Sequence, residues 1–104
     1  MVQLIAAETR KARFDRHDDS AEFIQEAMEY IRAGYFPGDR IGRIRKIKFH
    51  ELRAIAQLKA NNWVIKKGQH YIKQYNKMEG QLYNFCTLPA ILRFCTKYKL
   101  YGDD

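Results

Sequence analysis

Apolar residues recur at helical spacing in three stretches of this chain, and an aromatic, β-branched run separates the last two. Ile24, Ala27, Met28 and Ile31 fall on one stripe. They predict a helix from about Ser20 to Ala33, opened by an Asp19/Glu22 capping box and stopped by Gly34. FHELRAIAQLKA, Phe49 to Ala60, consists of good helix formers with Leu52, Ile55 and Ala56 on one side and Leu58 flanking; Asn61-Asn62 closes it. Leu88, Ile91, Leu92, Cys95 and Tyr98 repeat at three and four. They predict a last helix capped by Thr87, with Pro89 tolerated in its first turn and Gly102 as terminator.

The run WVIKKGQHYIKQY has strand composition around the turn Lys67-Gly68-Gln69, and a second turn, NKMEG, leads into QLYNFC. Together they predict a three-stranded antiparallel meander, roughly Trp63 to Lys67, His70 to Tyr75 and Gln81 to Cys86. Pro37-Gly38 marks a chain reversal. In RIGRIRKIKF the isoleucines at 41, 44 and 47 stand three apart, a spacing that a helical turn and an irregular strand share. Residues 1–18 read as an N-terminal arm or short helix whose order the pattern leaves open, and 19–104 as one basic domain. The fold class expected is α+β: a small single domain of helices packed with a three-stranded meander.

Composition agrees with a single core, since 46% of the 104 residues are apolar and 13% aromatic. The first residues contain no signal-like apolar run and no spanning helix, which predicts a cytoplasmic protein with no membrane association. Cys86 and Cys95 are then expected to be reduced thiols. The net charge of +7 is segregated: Met1 to Asp39 holds five Lys/Arg against eight Asp/Glu, and Arg40 to Tyr101 holds fourteen against two. A charge so one-sided repels itself and is commonly neutralised by a polyanion or an acidic partner.

Catalytic chemistry finds little purchase. The basic segment has only Glu51 and Glu79 as carboxylates, and Glu51 beside His50 is explained by the helix dipole. His17, His50, His70, Cys86 and Cys95 show no CxxC or HxxxH spacing, so no metal is expected. The six glycines form no phosphate loop, and no cofactor is expected. What remains is a non-catalytic binding face. Arg40, Arg43, Arg45, Lys46, Lys48, Arg53, Lys66, Lys67 and Lys73 offer phosphate contacts, while His70, Tyr71 and Tyr75 can stack on bases. Trp63 serves equally as a stacking platform or as core.

The order FIQEAMEYIRAGYFPGDRI, then ELRAIAQLKANNWVIKKGQHYIKQY, resembles the winged helix-turn-helix domain of GntR-type regulators. In that family a helix ends in glycine shortly before PGDR, as at Gly34 and Pro37 to Ile41, and a later helix leads into a glycine-tipped hairpin, as at Ala54 to Leu58 and Gly68. The resemblance covers about residues 23 to 75. Between its matched parts, Ile41 to Leu52 is too short for the full helix and turn the family places there. It implies a winged-helix-like scaffold with Arg43, Arg45, Lys46, Lys48 and Arg53 towards a DNA groove and Lys66, Lys67 and Lys73 on the wing. The expected partner is therefore nucleic acid, DNA before RNA, in a regulatory or accessory role, with a homodimer through the last helix suited to a palindromic site. The alternative is a small interaction module or inhibitor of mobile-element type that binds an acidic surface of a partner protein.

Overall fold

The structure, a computed structural model, describes residues 2–33 and 47–101. Along the chain run β1 (Val2–Lys11), β2 (Arg16–His17), α1 (Ala21–Ala33), α2 (Phe49–Ala60), β3 (Val64–Ile65), β4 (His70–Met78), β5 (Gln81–Thr87) and α3 (Pro89–Lys97). The fold class is α+β as expected. A three-stranded antiparallel sheet in the order β1-β4-β5 lies against the helices, and β2 and β3 form a separate two-stranded ribbon.

The sheet differs from the expected meander in its first strand. The turn residues explain why. Glu79 and Gly80 both have positive φ, 53° and 82°, and close a two-residue hairpin in which Met78 faces Gln81. At the other turn, Gly68 has φ +94° but its N–H donates to Ala12 O, and Ala12 N–H donates to Gln69 O. The chain there pairs with the end of β1. Asn62 and Trp63, both at positive φ, turn Val64–Ile65 towards Arg16–His17. The segment expected as an arm is thus an edge strand, held by its ladder to β4 and not by burial: every residue from Val2 to Lys11 is exposed. A bulge at Ile5 shifts its register by one. With no buried face, its sequence carries no alternation to read.

Residues directly opposed in an antiparallel sheet share a face. One face carries Ile72, Gln74 and Asn76 with Phe85 and Thr87, and it meets the helices. Phe85, Phe23 and Tyr101 form an aromatic triangle there, with centroids 5.2 to 6.4 Å apart. Behind it lies the main core of Ile24, Ile55, Leu58, Ile91, Phe94 and Cys95, against which Trp63 packs. Trp63 is core. A smaller cluster of Ala12, Ile65, Tyr71 and Cys86 sits where the β2/β3 ribbon folds over the other face.

The helix ends refine the sequence expectations. Asp19 and Glu22 make no capping box. Asp18 accepts N–H bonds from Ser20 (2.8 Å) and Leu88 (3.0 Å), Asp19 accepts from Cys86 N–H (2.7 Å), and Glu22 meets His17 (2.7 Å). The paired aspartates satisfy amides at the β5–α3 junction that neither element can pair itself. Leu88, not Thr87, is the N-cap of α3; Thr87 Oγ1 instead accepts from Ser20 Oγ at 2.9 Å, inside the core. α3 stops before Gly102. Lys99 adopts φ 55°, and Leu100 N–H reaches back to Cys95 O, the Schellman ending usually given to glycine.

On α2 the buried stripe is Glu51, Ile55 and Leu58, whereas Leu52 and Ala56 are exposed. A stripe read from apolar residues alone misses a buried carboxylate. Glu51 accepts from Lys48 N–H (2.9 Å), from the Tyr98 hydroxyl (2.9 Å) and from Lys97 Nζ (3.3 Å). Burial opposes its ionisation, but these donors outweigh it and hold its carboxyl below the usual range. No helix among the described residues is long and apolar enough to cross a membrane.

Candidate nucleic-acid interface

The face of the sheet turned away from the helices carries Tyr71, Lys73, Tyr75 and Lys77 on β4, Glu8 and Arg10 on β1, and Leu82 and Asn84 on β5. Among the described residues its Tyr71 end is covered by the β2/β3 ribbon. Lys73 and Tyr75 are half-buried, and Lys77, Leu82, Asn84, Glu8 and Arg10 are exposed. A strand rises about 3.3 Å per residue, so Lys73, Tyr75 and Lys77 stand in a row with roughly 7 Å between neighbours.

Cations and aromatic rings interlock along this row. Lys73 Nζ lies 5.3 Å above the Tyr75 ring. Arg10 donates to the Tyr75 hydroxyl (3.2 Å) and pairs with Glu8, and Tyr75 in turn donates to Glu8 Oε1 (2.8 Å). The hydrogen bond from Tyr75, helped by Arg10, holds the Glu8 carboxyl below the usual range and keeps the Tyr75 phenol protonated. Further along, the Arg16 guanidinium is sandwiched between Phe14 and Tyr71, 5.1 Å from each ring centroid, and donates to the Tyr71 hydroxyl at 2.7 Å.

Where β1 leaves the sheet, the chain turns through residues 12–15 and encloses a concavity of about 640 Å³. Arg10, Arg13, Phe14, Arg16, Tyr71 and Lys73 line it. No carboxylate does. The nearest acid in sequence, Asp15, is already engaged by Lys67 N–H (2.8 Å) and Lys66 Nζ (3.4 Å), which hold its carboxyl low. Among the described residues neither Arg13 nor Lys77 has a hydrogen-bond or ion-pair partner. Phe14 is 60% exposed. The local charge is therefore strongly positive, with Arg10, Arg16 and Lys73 carried on strands and Arg13 on the turn between them.

The expected site residues are distributed as follows. Arg40, Arg43, Arg45 and Lys46 lie outside the described residues. Lys48, the N-cap residue of α2, and Arg53 on α2 are exposed, in the helical layer. Lys66 and Lys67 flank the Asp15 contact beside the ribbon. His70 is exposed at the start of β4, whereas Tyr71 is buried and its hydroxyl is taken by Arg16, which removes it as a stacking platform. Lys73 is central to the open face. Sequence reasoning missed Arg10, Arg13, Phe14, Arg16 and Lys77. A signal existed in TRKARFDR, where a lone aromatic interrupts a basic run.

The two thiols are shifted away from the reactive thiolate form. Cys86 Sγ accepts from Arg16 at 3.6 Å, yet burial pushes its thiol up; burial pushes Cys95 up to about 12. Both cysteines are free and buried. Among the described residues no three His, Cys, Asp or Glu side chains gather closely enough to hold a metal ion. Comparison with protein-family models, with curated proteins and with solved structures finds no match.

Proposed function

We propose that this protein binds nucleic acid through the open face of its sheet, as a non-catalytic module. One observation carries the proposal: Arg10, Lys73 and Lys77, interleaved with Tyr75, share the sheet face turned away from the helices, which runs into the basic concavity at Arg13. Cations on a rigid sheet neutralise phosphates and release counterions, and planar groups among them add stacking. The helix-led docking implied by the winged-helix resemblance, with DNA and a regulatory role, depends on residues 40–46, which lie outside the described residues.

Fluorescence anisotropy of labelled oligonucleotides across a salt series tests the proposal. Affinity should fall linearly on a log–log plot against salt, and replacing Lys73 and Lys77 together by glutamine should lower the slope by about 2, roughly 1 per phosphate contact. Binding that is weak and unchanged by the substitutions overturns it. The exposed apolar edge of β1, with Val2, Leu4 and Ile5 beside Lys77, favours the second reading of an acidic protein partner. That reading predicts a salt-sensitive protein complex with no nucleic-acid selectivity.

A further inference from the structure

We infer that the concavity at residues 10–16 is a single-nucleotide pocket for single-stranded nucleic acid, with Phe14 stacking one base and Arg13 and Lys73 taking the flanking phosphates. The inference rests on the nucleic-acid reading and specifies its substrate. Three features carry it. First, the volume of about 640 Å³ falls in the range of small-molecule pockets, and the site is concave. Duplex DNA is read by elements that protrude into a groove, and a recess one nucleotide wide cannot enter one.

Second, Phe14 is held out in solvent at 60% exposure while its ring is steadied by Arg16. Arg16 is itself fixed by the Tyr71 hydroxyl and by Cys86 Sγ. An aromatic side chain positioned this way offers a stacking surface with little ordering left to be lost on binding. Bases in a duplex already stack on one another, whereas those of a single strand are free to take such a surface. Third, the cations differ in commitment. Arg16 is bound to protein and Arg10 is shared with Glu8, whereas Arg13 has no partner among the described residues, and Lys73, over the Tyr75 ring and opposite Glu8 in the ladder, makes no side-chain hydrogen bond or ion pair among them. The last two are set to receive phosphate on either side of the base. From this pocket the row Lys73, Tyr75, Lys77 continues along β4, which gives a strand a direction across the sheet.

The test uses the full chain, with 12-nucleotide oligo(dT), oligo(rU) and a 12-base-pair duplex as labelled probes. Both single strands should bind at least about tenfold more tightly than the duplex. Phe14→Ala should weaken single-strand binding by about 5- to 150-fold, the range of one stacked base, without changing the salt slope, and Phe14→Trp should restore it. Arg13→Gln should instead lower the slope by about 1. Thermal melts of each variant verify the fold. Duplex binding as tight as single-strand binding, or a Phe14→Ala protein of unchanged affinity, overturns the pocket and leaves the broader function standing. If no probe binds above background, both fall together.

Discussion

At the residue scale the fold depends on a few buried or half-buried carboxylates placed where backbone amides have run out of partners. Glu51 closes the first turn of α2 and ties it to α3 through Tyr98 and Lys97. Because its folded pKa is depressed, the stability it contributes is present above the ordinary 4.5 and is lost as pH falls through the folded value. Glu51→Ala is expected to cost about 1–3 kcal/mol at neutral pH, since it removes an acceptor from the Tyr98 hydroxyl, the Lys48 amide and Lys97. Denaturant melts at pH 7 and pH 3 should show the difference from wild type shrinking in acid. Asp18 acts in the opposite sense: burial pushes its carboxyl up in spite of the Leu88 and Ser20 amides, so its contribution is greatest in acid and declines as pH rises through its folded value. Its bond to Leu88, seventy residues on, leaves no local signal in the sequence.

At the element scale, helices were readable because their periodicity is local, and the end that was not readable is that of α3. The predicted span 49–60 coincides with α2, and α1 begins one residue from its expected start. The end of α3 was placed at the nearest glycine, Gly102, while the chain turns at Lys99 because Leu100 packs back against the core. A lysine at φ 55° is strained where glycine is not. Lys99→Gly should therefore raise stability by about 0.5–1 kcal/mol, read as a higher midpoint in urea with an unchanged slope. A lower midpoint would show that the stem of Lys99 packs more than its exposure suggests. For the strands, composition located β4 and β5 to within a few residues, because both contain aromatic and β-branched residues and share a tight turn. Partner choice was beyond it: Gly68 signals a turn, but whether the flanking residues pair with each other or with Ala12 depends on a segment far away in the chain.

At the scale of the whole molecule, β1 decides what the sheet can do. It supplies Arg10 to the open face and leads directly into the turn that carries Arg13 and Phe14. A chain lacking residues 1–11 should leave the β4 edge unpaired and open the cluster around Tyr71. Circular dichroism melts should then show a broadened transition at lower temperature, with sedimentation showing self-association through the exposed edge. An intact, monomeric truncated fold would mean that the helical layer stands without this strand. The expected interface drew on the basic density after Arg40. The described part of that density divides between two sides of the sheet, with Lys48 and Arg53 in the helical layer and Lys73 and Lys77 on the open face. Charge along a chain says how much potential there is, and topology says which residues add to it at one place.

The sequence by itself determined the class of the fold, the three helices of the described chain, the β4–β5 hairpin and the basic character of the molecule. Each of these follows from spacing, composition or turn chemistry within a dozen residues. Only the tertiary structure decided that residues 2–11 form a strand, that Trp63 and Tyr71 are packed while Phe14 is exposed, and that Arg10, Arg13 and Lys73 share a recess. These are long-range outcomes, set by which edge completes the sheet and which face the helices leave uncovered, and hydrophobic periodicity cannot register a strand that buries neither of its faces.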